Sequence, residues 1–178
     1  GAMTANPATD SYPAQLGRML GERYVVSNFG VGGCTMLRKG DCPYWEKEAY
    51  QQALASEPDI VFIDLGGNDS KAVNRVHMDE FVKDACEMIA SFQNLPTKPR
   101  IIVLTPIVSF VEDSNGIYDE VICSKVSPKT IEAADRMRVE VLDMHSVLNR
   151  RPDLMPDCIH PNTEGSGRMA RKMSDYLK

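Results

Sequence analysis

Apolar runs of strand length alternate with segments of helical periodicity along the whole chain, and this alternation constrains the fold more than any other feature. Ile60-Val61-Phe62-Ile63-Asp64-Leu65 and Ile101-Ile102-Val103-Leu104-Thr105 are almost continuously apolar. A strand with one wet face would alternate polar and apolar positions; these two do not, so each reads as a strand covered on both faces. Between them, Phe81, Val82, Ala85, Met88 and Ile89 fall at helical spacing within a helix from about Asp79 to Phe92. Strands joined by crossover helices imply a parallel sheet layered between helices, in an α/β/α arrangement.

Other elements follow the same rhythm. Asp10-Ser11-Tyr12-Pro13 opens a helix, with Ser11 or Asp10 as N-cap and Leu16, Met19 and Leu20 on its apolar face. Tyr24-Val25-Val26-Ser27-Asn28-Phe29 reads as a strand that ends in Gly30-Val31-Gly32-Gly33. Glu46 to Ala55 is helical. A helix from Ile117 to Ala134 contains Pro128, which should kink or break it. Val139 to Asp143 is the last strand, and Asn162 or Thr163 caps a closing helix to about Leu177.

At 178 residues the chain suits one domain with a sizeable core. Its net charge of −5, with no run of Lys or Arg, disfavours nucleic acid or an anionic membrane surface as partner. The apolar runs are far too short to span a membrane. No signal peptide is visible at the start, and a soluble protein is expected with its compartment open. Gly1-Ala2-Met3 reads as a cloning scar or the tail of a native loop. The five cysteines lack paired spacing, so free, buried thiols are expected rather than a disulfide framework. His77, His145 and His160 lack the spacing of zinc ligands, so no metal site is expected.

In open parallel sheets, ligands bind beyond the carboxyl ends of the strands. Gly33 follows the first of the expected strands, and Asn68 follows the second within Gly66-Gly67-Asn68-Asp69. Beyond the last strand, Met155-Pro156-Asp157-Cys158-Ile159-His160-Pro161-Asn162 places a carboxylate and an imidazole three residues apart. A histidine held by an aspartate on one ring nitrogen keeps the other free to take a proton from a nucleophile. Glycine backbone and an asparagine amide are the donors that an oxyanion hole requires.

Three of these segments, in this order, resemble the SGNH (GDSL-like) hydrolase family. Asn28-Phe29-Gly30-Val31-Gly32-Gly33 resembles its second block, Gly66-Gly67-Asn68-Asp69 its third, and Asp157-Cys158-Ile159-His160 its fifth. The likeness runs from about Asp10 to the C-terminus. It implies a flavodoxin-like α/β/α fold and ester hydrolysis without metal or organic cofactor. His160 would be the base and Asp157 its orienting partner, with Gly33 and Asn68 as oxyanion donors. Asn68-Asp69-Ser70-Lys71 is similar to the branch that removes acetyl groups from carbohydrates. A small ester, such as an acetylated carbohydrate, is the implied substrate; a lipase or thioesterase is the runner-up.

The family's first block, Gly-Asp-Ser-(Leu/Ile), carries the serine nucleophile and has no match here. Only nine residues precede Asp10, whereas a strand and its nucleophile turn would need roughly 10–15 more. The expectation is a single domain over residues 1–178, N-terminally truncated and lacking a central strand between the Tyr24 and Ile60 strands. That absence would leave a gap of about 10 Å. Such a gap would be filled by missing residues or another chain, or would close with altered packing, and a homodimer through the exposed edge is the preferred outcome. A non-catalytic binding form of the fold is the alternative function.

Other candidates carry competing readings. Cys34 beside Gly33 invites a Cys–His nucleophile, but lies on the wrong segment for the family's nucleophile. Ser11 reads as a helix cap and Ser70 as loop polarity. Asp69, Ser70 and Lys71 read equally as pocket border or solvated loop, and His77 and His145 as surface or packing residues.

Overall fold

The computed structural model describes residues 3–178; Gly1 and Ala2, part of the Gly1-Ala2-Met3 start, lie outside them. From the N-terminus, α1 (Pro7–Asp10), α2 (Tyr12–Leu20) and α3 (Glu48–Ala55) precede β1 (Ile60–Ile63). Next come α4 (Ala72–Arg75), α5 (Phe81–Gln93) and β2 (Arg100–Leu104). The order is completed by α6 (Asp119–Val121), α7 (Ser127–Met137), β3 (Glu140–Leu142), α8 (His145–Leu148) and α9 (Thr163–Leu177).

The three strands are parallel in the order β1-β2-β3, with Ile60 opposite Arg100 and Ile102 opposite Glu140. Successive side chains leave a strand on opposite faces, so the sheet divides the core in two. Val61, Ile63, Ile101 and Val103 join Ala53 of α3, Phe81 and Met88 of α5, and Ala133 of α7. Ile102, Leu104 and Leu142 join Leu16 of α2 and Met169 and Met173 of α9 on the other face. The continuous apolar run of β2 is thereby explained, since both its faces are covered; on β1, Val61 and Ile63 are buried while Ile60 and Phe62 on the other face are only half-buried. Burial of side chains as large as Phe81 and Ile89, both fully enclosed, contributes about 1.5–3 kcal/mol each.

Pro128 does not break its helix: the chain stays helical from Asp119 to Met137, and a π-helical turn lies just ahead of the proline, whose missing N–H cannot continue the regular hydrogen-bond ladder. The helical segment comprises α6, a π-helical turn over Ile122–Val126, and α7, with Pro128 in the first turn of α7. Asn162 caps α9 by accepting the N–H of Gly165 at 2.9 Å.

Tyr24–Phe29 is not a strand. A strand exists through its ladder, and among the described residues β1 pairs only with β2. The segment runs instead as irregular chain, with Val26 against Gly17 of α2 and the Phe29 carbonyl held by the Tyr44 hydroxyl at 2.8 Å. Val25 is 94% exposed, which a strand inside a covered sheet would not allow.

Candidate active site

The Asp157–His160 turn is built by one carboxylate. Asp157 Oδ1 accepts the backbone N–H groups of Ile159 at 3.0 Å and His160 at 2.7 Å, while Oδ2 lies 2.6 Å from His160 Nδ1. Cys158 between them takes a left-handed conformation, φ 67°, the strained point that lets the chain fold back on Asp157. Burial works to raise the Asp157 carboxyl, but the hydrogen bonds from the His160 ring and the two backbone N–H groups together hold it below its usual range. Asp157 is therefore an anion against Nδ1, and His160 Nε2 makes no hydrogen bond to any described residue.

Gly33 and Asn68 occupy two loops that are stitched together. Gly33 has φ +81°, which glycine adopts without strain, and its N–H bonds to no described residue. Asn68 opens a 3-10 turn beyond β1, and its side-chain amide is likewise unpaired among the described residues. Its neighbour Asp69, 0% exposed, accepts the backbone N–H groups of Met36 at 3.0 Å and Leu37 at 2.7 Å. Asn74, also fully buried, donates to the Asn68 carbonyl at 2.8 Å and to Asp41 at 2.9 Å. Asp84 of α5 takes the Arg38 N–H at 2.8 Å. The loop after Gly33 is thus fixed against the turn that carries Asn68.

Hydrogen bonds continue from these loops to the histidine turn. Ser70 Oγ donates to the Gly67 carbonyl at 2.7 Å and accepts the Tyr118 N–H at 3.0 Å. Asp119 accepts the Ser109 N–H at 3.0 Å, and Phe110 N–H donates to the Cys158 carbonyl at 2.9 Å. Each segment leaving the carboxyl end of β1 or β2 is therefore connected to the next, ending at the Asp157 turn. A surface groove between α2 and α9, lined by Gln15, Met19, Thr163 and Arg168, contains none of these groups.

Of the residues with competing readings, Asp69 and Ser70 do not belong to a solvated loop: both are 0% exposed and fully engaged. Lys71 pairs with Asp41 at 3.4 Å. Burial pushes the Cys34 thiol up to about 11, with Cys42 adding to the effect through a sulfur contact of 3.4 Å, which is the wrong direction for a nucleophile. His145 contacts Asp119 and Cys123. The roles of Asp69, Asn74 and Asp84 in positioning the loops are not evident in the sequence, because the partners that tie them to the loop after Gly33 lie 32 to 46 residues away.

Residues 2–168 match the description of the GDSL-like Lipase/Acylhydrolase family. The chain belongs to that family. An acetylxylan esterase of Xylanibacter ruminicola is 37% identical over 185 residues, covering 94% of this chain. The chain spans only 38% of that relative's length. Est24, a carbohydrate acetylesterase from Sinorhizobium meliloti, superposes with a TM-score of 0.78 at 19% identity, covering 97% of this chain and 86% of its own. A two-domain esterase active on acetylated mannans superposes with a TM-score of 0.73 at 19% identity, over 99% of this chain and 45% of its own. At these identities the structural likeness is one of fold, the three-layer α/β/α fold of SGNH hydrolases. Among the described residues, no helix is long and apolar enough to cross a membrane.

Proposed function

We propose that this chain supplies the base, the orienting carboxylate and two oxyanion donors of a carbohydrate O-acetyl esterase. The observation that carries the reading is the 2.6 Å contact between His160 Nδ1 and Asp157, which leaves Nε2 available. The acetylxylan esterase relative and family membership support ester hydrolysis and an acetylated carbohydrate as the substrate class.

In this reading a serine hydroxyl attacks the acetyl carbonyl while His160 Nε2 takes its proton. Asp157 holds the ring in the tautomer with the proton on Nδ1 and stabilises the imidazolium as it forms. The Gly33 N–H and the Asn68 amide receive the negative oxygen of the tetrahedral intermediate. His160 then returns the proton to the sugar oxygen, which leaves as an alcohol. Water repeats the sequence on the acetyl-enzyme, releasing acetate and restoring the serine. The family's Gly-Asp-Ser block, which would hold that serine, is not found in residues 1–178.

Acetate release from acetylated xylan tests the proposal, measured for the natural gene product carrying these residues and for residues 1–178 alone. The expected result is release by the former, abolished by His160→Ala, with little or none from residues 1–178. Release that is indifferent to His160→Ala would overturn it. Binding of acetylated xylan without any release would favour the non-catalytic form. Faster turnover of long-chain than of acetyl 4-nitrophenyl esters would favour a lipase.

A further inference from the structure

Asp119, Cys123 and His145 form a cluster that the proposed hydrolysis does not use. His145 Nε2 lies 2.9 Å from Asp119 Oδ1 and 3.3 Å from Cys123 Sγ, and Cys123 Sγ lies 3.7 Å from Asp119 Oδ2. Asp119 and Cys123 are one helical turn apart, at the start of α6 and in the π-helical turn that follows it. His145 opens α8 just past β3. Short π-helical segments are rare and occur frequently at functional sites.

We propose that these three side chains bind one Zn2+ ion, with water in the fourth position. Three donors of different softness, a thiolate, an imidazole and a carboxylate, suit zinc among the common divalent ions. Tetrahedral zinc with bonds of about 2.0–2.3 Å requires its donors to stand roughly 3.3–3.6 Å apart. The His145–Cys123 separation of 3.3 Å already fits, His145 stands 2.9 Å from Asp119 Oδ1, and Cys123 stands 3.7 Å from the other oxygen, Oδ2. One donor atom from each residue lies within 4.8 Å of the other two, so a small turn of the carboxylate completes the set.

The geometry also decides against a second Cys–His–Asp nucleophile. A relay needs the carboxylate on one ring nitrogen and the thiol on the other. Here the same nitrogen, Nε2, faces both, so the relay arrangement is absent and the three donor groups instead lie within reach of one another. A thiolate beside the Asp119 carboxylate would repel it unless a cation sat between them. The ion's arrival displaces the Cys123 thiol proton to solvent. Its fourth position is open, because Cys123 is exposed and His145 and Asp119 are partly so. The Ser109 N–H already fixes Asp119, which gives the site a preformed ligand.

Residues 1–178, freed of metal by a chelator, should be titrated with Co2+ alone and then with Zn2+ alone as competitor. The expected result is one Co2+ per chain, with a thiolate charge-transfer band and the intense visible absorption of tetrahedral cobalt, displaced by Zn2+. Cys123→Ser should remove the charge-transfer band. His145→Gln and Asp119→Asn should weaken Zn2+ by about 100-fold or more, with far-UV circular dichroism confirming that each variant is folded. In the unsubstituted chain, Zn2+ should slow alkylation of Cys123 and leave exposed Cys158 unaffected. The proposal is overturned by absent binding or by a thiolate band that survives Cys123→Ser. It is equally overturned by loss of the band in Cys34→Ser, which would place the ion at the Cys34–Cys42 pair, or by protection of Cys158 instead of Cys123.

Discussion

Asp69 accepts the backbone N–H of Leu37 at 2.7 Å, and through this bond the turn bearing Asn68 is locked to the loop that follows Gly33. The second oxygen takes the Met36 N–H, so one buried carboxylate satisfies two buried donors. Asp69→Ala should orphan both. Each unsatisfied buried donor costs about 1–3 kcal/mol, partly offset by no longer burying a charge. A lowered urea midpoint at pH 7 is expected; an unchanged midpoint would show that the loops do not depend on this residue.

The same carboxyl should give the protein a recognisable pH signature. Burial pushes Asp69 up to about 6, against the pull of the Leu37 and Met36 N–H groups. In the unfolded chain an aspartate titrates at about 3.9, so between the two values the folded state holds the extra proton. This contribution to stability is full below about pH 4 and is lost as pH rises through about 6, a change on the order of 2–3 kcal/mol. Wild-type stability minus that of Asp69→Asn should therefore be larger at pH 4 than at pH 7, read from urea unfolding at both. A difference that stays constant across that range would contradict the raised value.

Local sequence made some of this legible and hid the rest for physical reasons. The run at Ile101 betrayed a strand because burial on both faces leaves a composition that little else explains, and the run at Ile60 did so although its Ile60–Phe62 face is only half-buried. The Asp157–His160 contact was readable because its partners are three residues apart and one turn closes the distance. Tyr24–Phe29 has strand-like residues, but a ladder also needs a neighbour, which propensity cannot supply. Asp69 read equally as pocket border or solvated loop, since Gly-Gly-Asn-Asp suits a turn whether or not the carboxylate is buried. Histidine spacing likewise gave no hint that His145 meets Asp119 and Cys123, which lie on a different helix.

If His160, Asp157 and Asn68 act as proposed, their substitutions should separate by step. In the natural gene product, His160→Ala and Asp157→Asn should each lower kcat by about 10³–10⁴-fold, the first by removing the base and the second by releasing its tautomer. Asn68→Ala should lower kcat by about 10²–10³-fold with KM little changed, because its amide meets charge that develops only in the transition state. Steady-state acetate release measures all three. An Asn68→Ala enzyme with raised KM and unaltered kcat would assign that amide to substrate binding instead.

Gly66 offers a test of how tightly the turn beyond β1 is held. Its φ is +121°, a conformation that strains any other residue, and an added Cβ would stand 2.8 Å from Val126 Cγ1 and 3.2 Å from Pro106 Cγ. Gly66→Ala should therefore suffer twice, by about 1–3 kcal/mol from the backbone and a further 1–3 kcal/mol from overpacking against Val126. The two causes separate in a double-mutant cycle. Val126→Ala removes the methyl that the new Cβ meets, so the pair should be more stable than the sum of the single effects by about 1 kcal/mol or more. The backbone part should persist in the double variant, leaving it less stable than Val126→Ala alone. Thermal or urea unfolding of the four proteins measures the coupling. Strict additivity would mean that Val126 moves aside without cost and that only the positive φ keeps glycine at this position.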